Sequence, residues 1–282
     1  MLFHLKHRLR YVYAAPATLD CQIFRLRPRA DGNQKLFSHH LSVTPEASLL
    51  SQGIDEFGNV ETRAWFLGEV SQLTVEAQST VETTRVNPYD FLIEKNWMTL
   101  PWGERALEAR PALSHYLPPV KDLSLLGFAE GIRKDAGGEV LPFVIRLNNW
   151  MHERITKETR LDGPPRSPAE TILMGRGACR DLTVAFMALA RSQGIPSRFV
   201  TGYHEGDPEN PRKELHAWAE VFLPGGGWRG FDPSLGLAVA DRHIALACAP
   251  EAPETAVVTG VFSSTKAGSQ LETEVLFLDE TA

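Results

Sequence analysis

Between Gly175 and Pro196 the sequence marks both ends of a helix and sets a cysteine in its first turn. Gly175-Arg176-Gly177-Ala178-Cys179-Arg180-Asp181 supplies a glycine-rich approach. Leu182, Ala185, Phe186, Leu189 and Ala190 then fall on one face at helical spacing. Gly194 and Pro196 close the helix, as C-terminal signals do. Strand-like runs follow directly: Ser197 to Tyr203, His216 to Leu223 and Trp228 to Phe231. A chain punctuated in this way packs helices first and an antiparallel sheet after them, so its second half reads as α+β.

The same helix start prepares chemistry. A free cysteine has a pKa of about 8.5, and the partial positive charge at a helix N-terminus lowers it. His216 opens one of the following strands, and Asp232 closes Trp228-Arg229-Gly230-Phe231-Asp232-Pro233. Cysteine, histidine and aspartate in this order are the parts of a thiol acyl-transfer site: nucleophile, base and a group that orients the base. His4, His7, His39, His40, His115, His152, His204 and His243 lack such partners and are given no role.

Residues 1–85 read as β. Val12-Tyr13, Gln22 to Arg27, Leu41 to Val43, Val60 to Phe66 and Leu73 to Val81 resemble short strands, with a turn signal at Asp55-Glu56-Phe57-Gly58-Asn59. An antiparallel sandwich or small barrel is expected. Residues 86–139 form a helical connection punctuated by Pro88, Pro101, Pro111, Pro118 and Pro119. Residues 140–282 form the α+β part. It opens with an amphipathic helix over Val140 to Ile155, and Ser167-Pro168-Ala169-Glu170 is a capping box that starts a shorter one. Leu271 to Leu278 is its last strand candidate.

The totals exclude several classes. Net charge is −6, so the whole chain offers no basic footprint for nucleic acid. The first 35 residues carry seven Lys/Arg against two Asp/Glu, which a solvated strand face accounts for. No long apolar run suggests a membrane span or signal peptide, and a cytoplasmic location is the default expectation. Cys21, Cys179 and Cys248 are too few and too dispersed for a disulfide framework or a zinc site. The oligomeric state is left open.

With these residues in place, the chain resembles the bacterial transglutaminase-like proteins of the papain-like cysteine superfamily. The likeness is carried by Gly175 to Asp181, Pro196-Ser197-Arg198-Phe199-Val200-Thr201-Gly202-Tyr203, His216-Ala217-Trp218 and Phe231-Asp232-Pro233. Tyr11-Val12-Tyr13, Leu26-Arg27-Pro28-Arg29 and Asp55 to Asn59 resemble the β-domain that often precedes this core in bacteria. The resemblance implies a Cys179 nucleophile, a His216 base and an Asp232 orienter acting on amide bonds of a protein or peptide through a thioester. After Asp241-Arg242-His243-Ile244, Ala247 to Pro253 stands where relatives usually have a Gly-Arg-Asp-Tyr-like segment, so no substrate contact is carried over to it. The calcium sites of animal transglutaminases have no counterpart, and neither metal nor cofactor is expected. Hydrolysis, as a protease or amidase, comes before amine transfer, because water needs no acceptor site. A binding or scaffold protein with a vestigial triad is the reading from another class.

Other residues have plainer uses. Cys21 and Cys248 lack a histidine and a helix start and read as core filler. Asp181 suits the first helical turn whatever the function, and its charge opposes a thiolate. Trp218 shares the His216 face and is a candidate cleft wall, with a core position equally open. The backbone N–H of Cys179 is the one oxyanion donor that can be named. Parity adds a constraint. A symmetric four-residue turn over Pro224-Gly225-Gly226-Gly227 would set Asp232 opposite Ala219, which faces away from His216. The triad therefore requires a bulge or an odd-length connection at these glycines.

Overall fold

Period-two alternation at the start of the chain builds one long strand where the sequence suggested a short one. The computed structural model describes residues 1–119, 122–160, 163–206 and 213–278. In β1 (Leu2–Leu19), Phe3, Leu5, His7 and Leu9 turn inward while Lys6, Arg8 and Arg10 line the other face. Lys6 meets Glu76 at 3.0 Å and Arg10 meets Glu272 at 3.1 Å, so the basic excess of this region faces acids across the strands. There follow β2 (Gln22–Phe24), β3 (Gln34–Thr44), β4 (Leu49–Ile54), β5 (Val60–Trp65) and β6 (Glu69–Thr83). β6 pairs with β1 and β3 in one antiparallel sheet, and β5 with β2 and β4 in another. Leu9, Phe24, Leu26, Leu73 and Val75 form a core common to both, which makes a sandwich.

The helices come next: α1 (Arg105–Ala109), α2 (Leu125–Asp135) and α3 (Val140–Arg154). A two-residue strand β7 (Thr156–Lys157) pairs in parallel with β8 (Arg176–Gly177), and α4 (Pro168–Met174) lies between them in the chain. α4 starts where its capping signal stands, with the Glu170 N–H donating to Ser167 Oγ at 3.3 Å. α5 (Cys179–Ser192) buries Leu182, Ala185, Phe186, Leu189 and Ala190 against Phe143 and Leu147 of α3 and Ala129 and Ile132 of α2. The stretch expected as a connection does more than connect: Trp97, Leu100 and Trp102, with Leu125, Ala129 and Ile132 of α2, belong to this core.

The sheet that receives α5 holds β9 (Ser197–His204), β10 (Leu215–Leu223), β11 (Gly227–Asp232), β12 (Leu237–Ala238) and β13 (His243–Ala249), in the order β12-β11-β10-β9-β13. Phe199, Ala217, Ala219, Val221, Leu223 and Phe231 pack with α5. Val200, Trp218, Ala245 and Cys248 cluster separately. All seven residues of β13 are buried, so the strand shows no alternation in its sequence. Between β10 and β11, Leu223 lies opposite Gly227 with three residues between them. Gly225 and Gly227 take φ of 91° and 71°, which an L side chain rarely adopts. Phe231 thereby falls opposite Ala219, and Asp232 takes the face of Trp218 and His216. The odd connection is present.

The chain then returns to the sandwich. β14 (Val258–Thr259) pairs with β2, while β15 (Phe262–Ser264) and β16 (Ser269–Leu278) pair with successive parts of β1. The expected division at 140–282 groups these strands with the α+β part, yet their hydrogen bonds run to the N-terminal strands. Without them β1 would be an open, apolar edge. The two parts also meet at the outer edge of β13. There the Gln34 amide bonds to both the N–H and the C=O of Ala245, and the Asn59 amide does the same at Cys248.

Candidate active site

Cys179 is the first residue of α5, and its surroundings follow from that position. Its N–H lies in the first turn, where a helix supplies no acceptor. Asp181, two residues on, is fully buried. Its Oδ2 accepts the Ala178 N–H at 2.8 Å, and its Oδ1 accepts Arg160 Nη2 at 2.5 Å and the Arg166 N–H at 2.8 Å. The carboxylate is thus spent on tying Arg160 and Arg166 to the helix start. Paired with Arg160, it opposes a thiolate less than a bare charge would.

The Cys179 thiol is half-buried and lies within electrostatic range of the His216 ring. His216 Nε2 meets Asp232 Oδ2 at 2.5 Å, which leaves Nδ1 as the ring nitrogen for the sulfur. Asp232 is enclosed, and its Oδ1 accepts from the Ser234 N–H, the Ser234 hydroxyl and the Leu235 N–H. Burial alone would raise its pKa. The charge and hydrogen bond of His216, joined by the bond from His243, hold it well below the usual carboxylate range. For His216 burial works downward, but the Asp232 charge and hydrogen bond overcome it and push the pKa up to about 10. Burial likewise pushes the Cys179 thiol up, and the His216 hydrogen bond and charge bring it below its ordinary value.

This array opens into a cleft of about 850 Å³. Lys157, Arg180, Cys179 and His216 line one side, and Leu9, Tyr11 and Thr273 of the sandwich line the other. A substrate reaching the sulfur would lie between the two halves of the protein.

Residues 127–233 match the family model described as the transglutaminase-like superfamily, and residues 3–82 match that of the bacterial transglutaminase-like N-terminal region. The chain thus carries a transglutaminase-like core preceded by a bacterial transglutaminase-like N-terminal region. An uncharacterized protein of Mycobacterium leprae is 24% identical over 270 residues, covering 91% of each chain. One of Mycobacterium tuberculosis is 24% identical over 289 residues, covering 97% of this chain and 91% of its own. The crystal structure of a candidate cysteine protease from Cytophaga hutchinsonii superposes with a TM-score of 0.72 at 22% identity, covering 100% of this chain and 92% of that one. That likeness bears on the fold alone.

Two expectations about this transglutaminase-like site need correction. Trp218 is 1% exposed and does not line the cleft. It shares the His216 face but lies further along β10, where β13 covers it, and its ring meets His243 edge-on at 5.1 Å. Cys248 is buried as expected, but Cys21 is half-buried between β1 and β2 and fills no core. Burial raises the pKa of both thiols.

The sequence also left His243 without a role, and the structure gives it one contact that matters. Its Nε2 meets Asp232 Oδ2 at 3.1 Å, beside the His216 bond. The signal that points to it is the six-residue apolar run Ile244 to Ala249 ahead of Pro250, which suits a buried strand. His216, Asp232 and His243 also have metal-ligand chemistry, with donor atoms within 4.8 Å of one another. Both Nε2 atoms direct protons at one oxygen, so a cation could enter only by displacing those bonds.

Proposed function

We propose that the protein is a thiol enzyme that cleaves amide bonds through a thioester on Cys179. The observation that carries this reading is the grouping of the Cys179 thiol, at the start of a helix and facing a cleft, with the His216 ring that acts on it and the Asp232 carboxylate bonded to that ring at 2.5 Å. His216 takes the thiol proton, and the thiolate attacks the carbonyl carbon. The Cys179 N–H donates to the developing oxyanion. The C–N bond then breaks, and His216 gives its proton to the leaving amine. Water, deprotonated by His216, attacks the thioester, releases the acid and restores the thiol. Asp232 stabilises the imidazolium and keeps the ring in register throughout.

Hydrolysis of a peptide, isopeptide or carboxamide is the favoured outcome, and transfer to a second amine is the alternative. Incubation with a peptide and isopeptide library, with and without a primary amine, tests both. Free acid in both arms supports hydrolysis, and amine adducts in the second support transfer. No product above that of Cys179→Ala in either arm would favour a non-catalytic binding role.

A further inference from the structure

Asp232 serves two imidazoles with one oxygen. His216 from β10 and His243 from β13 both bring Nε2 to Oδ2, at 2.5 and 3.1 Å, while Oδ1 is filled by Ser234 and Leu235. An ionised carboxylate only accepts, so each ring carries a proton on Nε2. His243 is enclosed and does not line the cleft. Its Nδ1 is buried and has no partner among the described residues, so the bond to Asp232 is the one polar anchor found for this ring. The ring is placed neither to touch a substrate nor to act as the base. What it touches is the group that orients the base.

A neutral N–H given to a carboxylate withdraws negative charge from it and lowers its proton affinity. The same oxygen stabilises the His216 imidazolium. We propose that His243 is a positioning residue that shares Asp232 with His216, and so limits how firmly His216 holds the proton it must give to a departing amine. The inference rests on the triad reading above. The groups facing His243 are His204 of β9 at 4.5 Å between ring centroids, His216 and the uncharged Trp218 of β10, and Asp232 of β11. Burial, aided by the charges of its histidine neighbours, keeps His204 neutral, with a pKa of about 3. Asp232 and the His216 imidazolium are therefore the charges that act on the ring.

The test uses the full chain and iodoacetamide as probe. The alkylation rate of Cys179 is followed against pH by peptide mass spectrometry. His243→Phe keeps a ring and removes the donor, whereas His243→Gln keeps an N–H. In His243→Phe the undivided Asp232 charge stabilises the thiolate–imidazolium pair. The acid limb then moves down by about one pH unit, and labelling on its acid side becomes about tenfold faster. His243→Gln should follow the wild type. A merely structural role would loosen the array and slow labelling, the opposite sign. Near-UV circular dichroism checks folding, and His243→Leu carries the same expectation if the phenylalanine variant misfolds. A limb that stays in place or moves up in the folded donor-less variant overturns the proposal while leaving the triad standing. Wild-type Cys179 that labels no faster at low pH than Cys21 overturns the triad and the proposal together.

Discussion

At the sulfur of Cys179 burial and charge pull in opposite directions, and the influence of His216 wins. Cys21 and Cys248 have burial without that partner, and their thiols titrate above the ordinary value. Brief iodoacetamide treatment at about pH 6 should therefore alkylate Cys179 almost alone. His216→Ala should move its reactivity to higher pH, as the thiolate loses its cation. Asp232→Asn should leave residual turnover on any substrate found, whereas Cys179→Ala leaves none, because the amide still orients the ring but no longer stabilises the imidazolium. Asp181→Ala is a different kind of change. It takes the acceptor from the Arg166 N–H and the Ala178 N–H and one partner from Arg160, and should cost about 2–4 kcal/mol in urea denaturation. A loss under about 0.5 kcal/mol would show that water replaces those bonds at little cost.

Among the elements, the β10–β11 connection decides whether Asp232 can serve His216 at all. Inserting one glycine between Gly225 and Gly226 should slip β11 by one residue and turn the carboxylate to the α5 face. Low-pH labelling of Cys179 should then vanish while the far-UV circular dichroism stays native. This element was legible in the sequence because parity is local: the glycines, the strand ends and the need for one shared face were all visible. Helix α5 and its cysteine were legible for the same reason. The rest was written in contacts that sequence spacing does not reveal. β13 gave no alternation because β9, β6 and the turn after it enclose it on all sides, and His243 was lost with it. Trp218 kept its face but not its exposure, since what covers a strand face depends on a neighbour thirty residues away in the chain. The last three strands carry ordinary strand patterning, and nothing in it says that their partners are β1 and β2.

For the molecule as a whole, the shifted groups set how stability depends on pH. Burial lowers the pKa of His7 and His39 to about 4 and of His204 to about 3, all from an ordinary 6.5. The unfolded chain binds these protons first, so stability should fall as pH drops from about 6.5 toward 4. His7→Gln should flatten that slope, as followed by urea denaturation across the range.

The pairing of β16 with β1 also decides how the protein answers a pull. Leu278 lies across from His4, so these two residues sit side by side at one end of two antiparallel strands. Tension between these points loads the hydrogen bonds one rung at a time, like a zip opened from its tab, where tension along the strands would load them together. In a force spectrometer the β16–β1 ladder should yield first and at low force. The helices around Cys179 lie between β6 and β14 in the chain and should feel no load until the sandwich has come apart.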